Sequence, residues 1–268
     1  MNIKAVMCDI DGTLLNEHGE VTEKTKEAIH QLKEKGIVFG LATGREAYSV
    51  ELLLEQWGIK DAVDVIVGSG GAEIIDYRHN ISCTEFPLDG SLILDIIAHY
   101  KDLDVNFAIP EKGVLYAYKD DEVMQKLSKF DQIPYQVIDY PSFLTQPRQK
   151  VMIVCEEDKM PKVIERSKTF SSDQYKCASL KTASILFEYM DPRVSKSYGI
   201  QEALKPYGIT MQELCVFGDA DNDYEMVKDA GMGIVMNNGS EKTKQVADYI
   251  TDDHNHDGIA KALIQYIL

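Results

Sequence analysis

The sequence predicts an α/β protein, with a core domain built on a parallel sheet and an α+β domain inserted into it. Near both ends of the chain, short apolar runs alternate with segments of helical periodicity, which is typical of parallel strands joined by right-handed helical crossovers. Between these parts the pattern is mixed, and the chain of 268 residues is long for one hydrophobic core. We therefore expect a Rossmann-like core formed by residues 1–81 and 191–268, and an inserted domain formed by residues 82–190.

The first part of the core opens with a nearly unbroken apolar run, as expected for a strand that is covered on both faces of its sheet. Thr22 is a typical helix-capping residue, and apolar residues then recur at helical spacing until Gly36. The expected elements are strands at 3–8, 37–42 and 63–67 and helices at 22–36 and 47–57.

The inserted region combines helical stretches with strand-like pieces. Its alternating segment Leu115-Tyr116-Ala117-Tyr118 predicts a sheet with one open face. Helices are expected at 90–100, 121–130 and 160–170, and strands at 105–109, 114–118, 150–155 and 185–189. The core pattern then resumes with helices at 197–204, around Met226 and at 258–268, and with strands at 213–217, 233–236 and 249–251.

The composition limits the possible partners. A formal net charge of −16 argues against non-specific binding to nucleic acid or to an anionic membrane. The five cysteines are odd in number, are scattered and show no CxxC spacing, which favours a reducing compartment over a disulfide framework or a zinc site. No apolar run approaches the length of a membrane span. These features predict a cytoplasmic protein, and no protein partner is indicated.

Polar residues follow several of the expected core strands directly. Asp9 and Asp11 follow the first strand, Thr43 follows the second, and Asp219 and Asp223 follow the strand at 213–217. Ligands of open parallel sheets bind beyond the carboxyl ends of the strands, so these side chains could converge on one site.

This set of residues fits phosphoryl transfer. Asp9 could attack phosphorus and form an aspartyl-phosphate, while Asp11 protonates the leaving alcohol and later deprotonates water. Asp9 and Asp219 would supply oxygen ligands for Mg²⁺. Thr43 and Lys196 would stabilise the phosphoryl oxygens.

Four motifs in order resemble those of the haloacid dehalogenase-like phosphatases. They are Asp9-Ile10-Asp11-Gly12-Thr13, Ala42-Thr43-Gly44-Arg45, Lys196 within Arg193-Val194-Ser195-Lys196, and Gly218-Asp219-Ala220-Asp221-Asn222-Asp223. The resemblance covers essentially the whole chain, and the large insertion is similar to the cap domain of the Cof-type (IIB) sugar-phosphate phosphatases.

The resemblance implies further roles by position. Asp11 would also give its backbone carbonyl to Mg²⁺, and backbone groups at Ile10 and Gly44 would bind phosphate. Asn222 would contact phosphate or orient Lys196, and Asp223 would support the metal and its water shell. The chain departs from the family pattern at Gly70-Gly71-Ala72, at Ser197 and at Asn237-Asn238-Gly239.

Other residue-level interpretations remain open. Asp223 and Asn222 could serve only to cap a helix and to form a turn. Arg45 could bind a second polar group of the substrate, or it could pair with a surface acid. Glu188 could face either solvent or the cleft.

The sequence thus predicts a Mg²⁺-dependent phosphatase of small phosphorylated metabolites, with sugar phosphates as the expected substrates. A phosphomutase acting on hexose phosphates would use the same nucleophile and is the main alternative. A signalling receiver also clusters acids with a Thr and a Lys, but receivers are much shorter. A binding protein that has lost catalysis would not need every one of these residues.

Overall fold

The computed structural model describes residues 2–172 and 177–268, which form two compact units. One unit contains Met1–Cys83 and Ser195–Leu268, and the other contains Thr84–Val194. Both boundaries lie a few residues later than the sequence-based ones. The first does so because the strand at Ile81–Thr84 continues the sheet of the first unit, which the sequence analysis did not anticipate.

Strands and helices are numbered along the chain. The strands are β1 (Ala5–Cys8), β2 (Val38–Ala42), β3 (Val65–Gly68), β4 (Glu73–Asp76), β5 (Ile81–Thr84), β6 (Asn106–Glu111), β7 (Val114–Ala117), β8 (Tyr135–Val137), β9 (Val151–Val154), β10 (Ala178–Ala183), β11 (Leu186–Met190), β12 (Leu214–Gly218), β13 (Met232–Met236) and β14 (Tyr249–Thr251). The helices are α1 (Glu23–Glu34), α2 (Ala47–Leu53), α3 (Gly90–His99), α4 (Glu122–Asp131), α5 (Tyr140–Phe143), α6 (Met160–Ser167), α7 (Lys196–Leu204), α8 (Tyr224–Asp229), α9 (Glu241–Lys244) and α10 (Gly258–Tyr266).

The first unit contains an eight-stranded sheet in the order β14-β13-β12-β1-β2-β3-β4-β5. β1 lies between β2 and β12 and is parallel to both, with Cys8 opposite Leu41 on one side and Phe217 on the other. All residues of β1, β2 and β12 are buried, because hydrophobic clusters cover both faces of the sheet. This confirms the predicted α/β class and the parallel core.

The sheet is not parallel throughout, since β4 runs antiparallel to β3. The sequence analysis placed no strand between residues 68 and 80. β4 has only four residues, Glu73-Ile74-Ile75-Asp76, which is too short for a periodic signal.

Helix α1 forms as its sequence predicts. The hydroxyl of Thr22 accepts a hydrogen bond from the N–H of Thr25, and the apolar stripe of Ala28, Ile29 and Leu32 is buried. Helix α2 is shorter than expected and ends at Leu53, and residues 54–58 continue as turns.

The second unit contains a six-stranded sheet in the order β10-β11-β9-β6-β7-β8. The four strands expected there are present, whereas β8, β10 and α5 were not predicted. Along β6, Phe107 and Ile109 pack against side chains of α3 and α6, and Ala108 packs on the opposite face with side chains of α4. The predicted open face is therefore wrong for the central strands, although Tyr118 beside β7 is exposed.

Glu188 of β11 does not face solvent. Its carboxylate forms an ion pair with Lys150 at 2.7 Å, and both side chains are buried within the second unit. The sequence alone could not reveal this pair, because Lys150 directly precedes β9 and only the folded sheet brings that strand next to β11.

No helix among the residues 2–172 and 177–268 is long and apolar enough to cross a membrane.

Candidate active site

The carboxyl ends of neighbouring parallel strands bring the predicted residues of the first unit together. Asp9 directly follows β1, Thr43 follows β2 and Asp219 follows β12. The N–H of Asp9 donates to the carbonyl of Phe217 at 2.9 Å, so the turn after β1 lies against the end of β12. This turn is compact, because the carbonyl of Ile10 accepts the N–H groups of Leu14 and Leu15 at 3.0 Å each.

Lys196 holds the acids of this site together. It is the first residue of α7, and its position follows from the helix start, where the hydroxyl of Ser195 accepts the N–H of Tyr198. Its ammonium group lies 2.5 Å from Asp9 Oδ1 and 2.6 Å from Asp223 Oδ1, and only 2% of its side chain is exposed. The third motif therefore meets the first and the fourth, as the sequence predicts.

Asp223 has a structural function and an electrostatic one at the same time. Its Oδ2 accepts the N–H groups of Asp219 and Ala220, both at 2.9 Å, and this closes the turn after β12. Its Oδ1 accepts from Lys196. Asp223 therefore closes the turn after β12 and belongs to the charged site, but its side chain makes no capping bond at the start of α8, where the sequence allowed one.

Three carboxylates converge at this point. Oxygen atoms of Asp9, Asp219 and Asp223 lie within 4.8 Å of one another, and the described residues contain no other such group of His, Cys, Asp or Glu. An all-oxygen set with excess negative charge suits a hard divalent cation such as Mg²⁺. The residues present therefore fit the expected metal.

The pKa values of the clustered residues are shifted by burial and by neighbouring charges. Burial raises the pKa of Asp9 well above its ordinary value, and the nearby Lys196 only partly opposes this. Burial also raises the pKa of Asp219 to about 6, against the lowering effect of a hydrogen bond from Thr13. For Lys196, burial lowers the pKa, but the charges of Asp223 and Asp9 outweigh it and the pKa is raised, so the lysine is a fixed cation.

The support of Asp219 was not predicted from the sequence. The hydroxyl of Thr13 donates to Asp219 Oδ1 at 2.7 Å, and the N–H of Ser240 donates to the Asp219 carbonyl. Gly12 allows this approach, since a Cβ at that position would lie 2.6 Å from Asp219 Oδ2 and the backbone φ is +85°. Thr13 was part of the first motif, but nothing in its spacing indicated its partner.

Asn238 is a second residue whose contact was missed. Its side-chain N–H donates to the carbonyl of Gly12 at 2.8 Å, and its Oδ1 accepts the N–H of His254. The departure from the family pattern at 237–239 therefore lies against the first motif. No local signal could indicate this contact, because it depends on the position of the loop after β13.

Arg45 pairs with Asp11. Its Nε donates to Asp11 Oδ2 and its Nη2 to Asp11 Oδ1, both at 2.8 Å. The sequence analysis considered a substrate group or a surface acid as its partner, and the structure shows a carboxylate of the first motif instead. Each acid of that motif thus has its own cation, Lys196 for Asp9 and Arg45 for Asp11.

The remaining predicted residues surround the same region. Thr43 is buried, and its Oγ1 accepts the N–H of Arg45 at 3.1 Å, which leaves its own proton for another acceptor. Gly44 lies where an added Cβ would meet no atom within 4 Å. Asn222 is close in sequence to Asp219 and Asp223, and its buried Oδ1 has no hydrogen-bond partner among the described residues.

Comparison with known proteins agrees with this geometry. A sequence profile described as haloacid dehalogenase-like hydrolase matches residues 6–263. The chain is 25% identical over 267 residues to the 5-amino-6-(5-phospho-D-ribitylamino)uracil phosphatase YitU of Bacillus subtilis, covering 97% of this chain and 96% of that protein.

Solved structures show the same fold. A haloacid dehalogenase-like hydrolase from Bacteroides thetaiotaomicron is similar with a TM-score of 0.88 and 25% identity, over 98% of this chain and 99% of that one. The HAD subclass IIB sugar phosphatase BT4131 is similar with a TM-score of 0.82 and 22% identity, over 98% of each chain. With its four motifs placed around one site and a family profile along nearly its whole length, this chain belongs to the haloacid dehalogenase-like hydrolase family.

Proposed function

We propose that this protein is a Mg²⁺-dependent phosphatase that hydrolyses small phosphorylated metabolites through an aspartyl-phosphate on Asp9. The observation that carries the proposal is the contact of buried Asp9 with Lys196 inside a group of three carboxylates, beside a second acid that is held separately. A carboxylate that contacts a lysine and borders a possible cation site is suited to attack an anionic phosphate, because the positive charges offset the repulsion between the two anions.

The reaction takes two steps. In the first, an oxygen of Asp9 forms a bond to phosphorus, the bond from phosphorus to the ester oxygen breaks, and Asp11 gives that oxygen a proton. In the second, water attacks phosphorus, Asp11 takes the proton from water, and the bond between Asp9 and phosphorus breaks. Both aspartates then regain their starting states.

The phosphoryl oxygens need donors. Lys196 contacts Asp9, and Thr43 follows the neighbouring strand β2 and has its hydroxyl proton available. Backbone groups at Ile10 and Gly44 complete the proposed set of donors to the phosphoryl oxygens. The amide of Asn222 would donate to phosphate.

Asp9, Asp219 and Asp223, with the backbone carbonyl of Asp11, would hold Mg²⁺, with Asp223 contributing directly or through water. The bound ion would neutralise charge on the phosphate and on the carboxylates. The support of Asp219 by Thr13 is the kind of outer contact that orients a metal ligand.

The proposed substrates are small, with sugar phosphates favoured. The name of the B. subtilis relative specifies a phosphorylated ribityl compound, which supports a small polyhydroxylated substrate. Product analysis with a hexose phosphate separates this proposal from the phosphomutase alternative, since hydrolysis releases inorganic phosphate and a mutase returns an isomeric sugar phosphate.

The test compares three Asp→Asn variants with p-nitrophenyl phosphate and Mg²⁺. Asp9→Asn should reduce kcat by at least about a thousandfold, because an amide is not a nucleophile, and Asp219→Asn should weaken activation by Mg²⁺ strongly. Asp221→Asn is the matched control, since this acid belongs to the same turn as Asp219 but 62% of its side chain is exposed. Near-normal turnover by Asp9→Asn, with circular dichroism showing an intact fold, would exclude the mechanism.

A further inference from the structure

The side chain of Arg45 binds Asp11, the proposed acid and base of the reaction, and has no role of its own in the two proposed steps. Its guanidinium binds both oxygens of Asp11 in a bidentate ion pair. The exposed fraction of the side chain is 9% for Arg45 and 38% for Asp11. A planar guanidinium that binds both oxygens fixes the plane of the carboxyl group.

The backbone that carries Arg45 is itself anchored on both sides. Its N–H donates to the hydroxyl oxygen of Thr43, and its carbonyl accepts the N–H of Ser69 at 2.7 Å. Ser69 has a φ of +48°, which is uncommon for a residue other than glycine, and the carboxylate of Glu73 holds its hydroxyl at 2.6 Å. Glu73 also accepts the N–H of Ala47 at the start of α2. The backbone from which the guanidinium extends is therefore held in place by these hydrogen bonds.

The ion pair leaves room for proton transfer. A carboxylate has about four lone-pair directions, and the bidentate contact with Arg45 occupies two of them. The exposed part of Asp11 can therefore still meet a leaving oxygen or a water molecule, whereas Asp9 is buried against Lys196.

We propose that Arg45 is a positioning residue that orients Asp11 for proton transfer in both steps of the reaction, rather than a ligand of the transferred phosphate. This inference rests on the proposed function. Replacing a residue with this task should slow the steps that need Asp11, and it should leave phosphate binding and the attack by Asp9 nearly unchanged.

The substrate pair that separates these effects is p-nitrophenyl phosphate and an alkyl phosphate such as glycerol phosphate. Nitrophenolate leaves readily without a proton, so the first step with the aryl ester does not need Asp11, whereas an alkoxide does. Hydrolysis of the aspartyl-phosphate is common to both substrates and needs Asp11 as a base.

The experiment measures rapid-mixing and steady-state kinetics of Arg45→Gln with both substrates at saturating Mg²⁺. With p-nitrophenyl phosphate we expect a rapid release of about one nitrophenol per enzyme, followed by a steady-state rate lower by roughly tenfold or more. The value of kcat/KM should change by less than about twofold, so KM should fall together with kcat. For the alkyl ester kcat/KM should also fall by roughly tenfold or more, because its first step needs the proton of Asp11. Arg45→Lys should recover little, because an ammonium group cannot hold both oxygens.

Arg78 provides the matched control. It binds both oxygens of Asp64 at 2.7 and 2.8 Å in the same unit, away from the four motifs, so Arg78→Gln should retain the wild-type kinetics with both substrates. A strongly raised KM for Arg45→Gln with loss of the rapid phase would assign Arg45 to phosphate and overturn the inference. Unchanged kinetics, or full recovery in Arg45→Lys, would also overturn it. Failure of the wild-type enzyme to release nitrophenol would instead overturn the proposed function, and this inference with it.

Discussion

At the scale of single residues, the two aspartates of the first turn differ in their surroundings. Asp9 is buried beside Lys196, and its environment disfavours a free negative charge unless cations are close. Asp11 is more exposed and is paired with Arg45. The repulsion expected of two neighbouring acids is offset by two separate cations, and this separation supports the different chemical tasks proposed for the two acids.

A pH dependence of metal binding follows from Asp219. Its pKa of about 6 lies above the ordinary value near 3.8, so the folded protein binds this proton more tightly than the unfolded chain does. The stability gained from protonated Asp219 is therefore present below about pH 4 and is lost as the pH rises through about 6. A divalent cation bound by Asp219 would have to displace the same proton.

We therefore expect Mg²⁺ to stabilise the protein more at about pH 7.5 than at about pH 5. Below about pH 6, the apparent affinity should fall by at least about tenfold for each pH unit, because at least one proton, that of Asp219, competes with the ion. The measurement is the rise in Tm with Mg²⁺ concentration at each pH, with Asp221→Asn again as the control. An equal rise at both pH values would show that the ion does not displace a proton from Asp219.

At the scale of elements, the connection between β3 and β4 joins two motifs. The N–H groups of Ser69 and Gly70 donate to the carbonyls of Arg45 and Thr43, so the loop is fixed to the end of β2. Gly71 has a φ of +114°, and a Cβ there would overlap the carbonyl of Ser195, the residue before Lys196. The loop thus connects the turn after β2 to the start of α7.

Gly71→Ala should destabilise the first unit and lower activity together. The forbidden backbone angle and the overlap with Ser195 should cost about 3 kcal/mol or more, which corresponds to a fall in Tm of several degrees. Gly208→Ala is the matched control, because Gly208 also has a positive φ of +64° but has no atom within 4 Å of the added Cβ. Its cost should be about 1–2 kcal/mol, and its kcat should be unchanged. Equal effects of both variants would mean that backbone angle alone matters at position 71.

At the scale of the whole molecule, the charge opposes the proposed substrate. The formal net charge is −16, and a phosphate ester is also an anion. The cations described around the site, Lys196 and Arg45, are already paired with acids. Long-range repulsion should therefore slow the approach of substrate when the ionic strength is low.

We expect kcat/KM to rise by about twofold or more when KCl is raised from about 20 mM to about 200 mM at constant free Mg²⁺, because the screening length falls from roughly 20 Å to roughly 7 Å. The value of kcat should change little, since screening acts mainly on encounter. Initial rates over a range of substrate concentrations, repeated with sucrose in place of salt, measure this effect. A fall of kcat/KM with salt would mean that local cations, rather than the net charge, govern the approach.

Much of the fold and of the site could be predicted, because the sequence patterns that indicate them lie within short segments of the chain. Apolar runs marked β1, β2, β3 and β12, and Thr22 with its apolar stripe marked α1. The strands β4, β5, β8 and β10 were missed, since a few residues of mixed character contain no usable period.

The sequence by itself determined the class of fold, the family and the identity of the charged residues, because each depends on residue types at short spacing. Only the tertiary structure decided which side chains meet. Lys196 reaches Asp9 across 187 positions of the chain, and Thr13 reaches Asp219 across 206. Arg45 turned out to hold Asp11, and Asn238 to hold the turn at Gly12. These contacts depend on the order of the strands and on the directions of side chains at their ends, which spacing along the sequence does not encode.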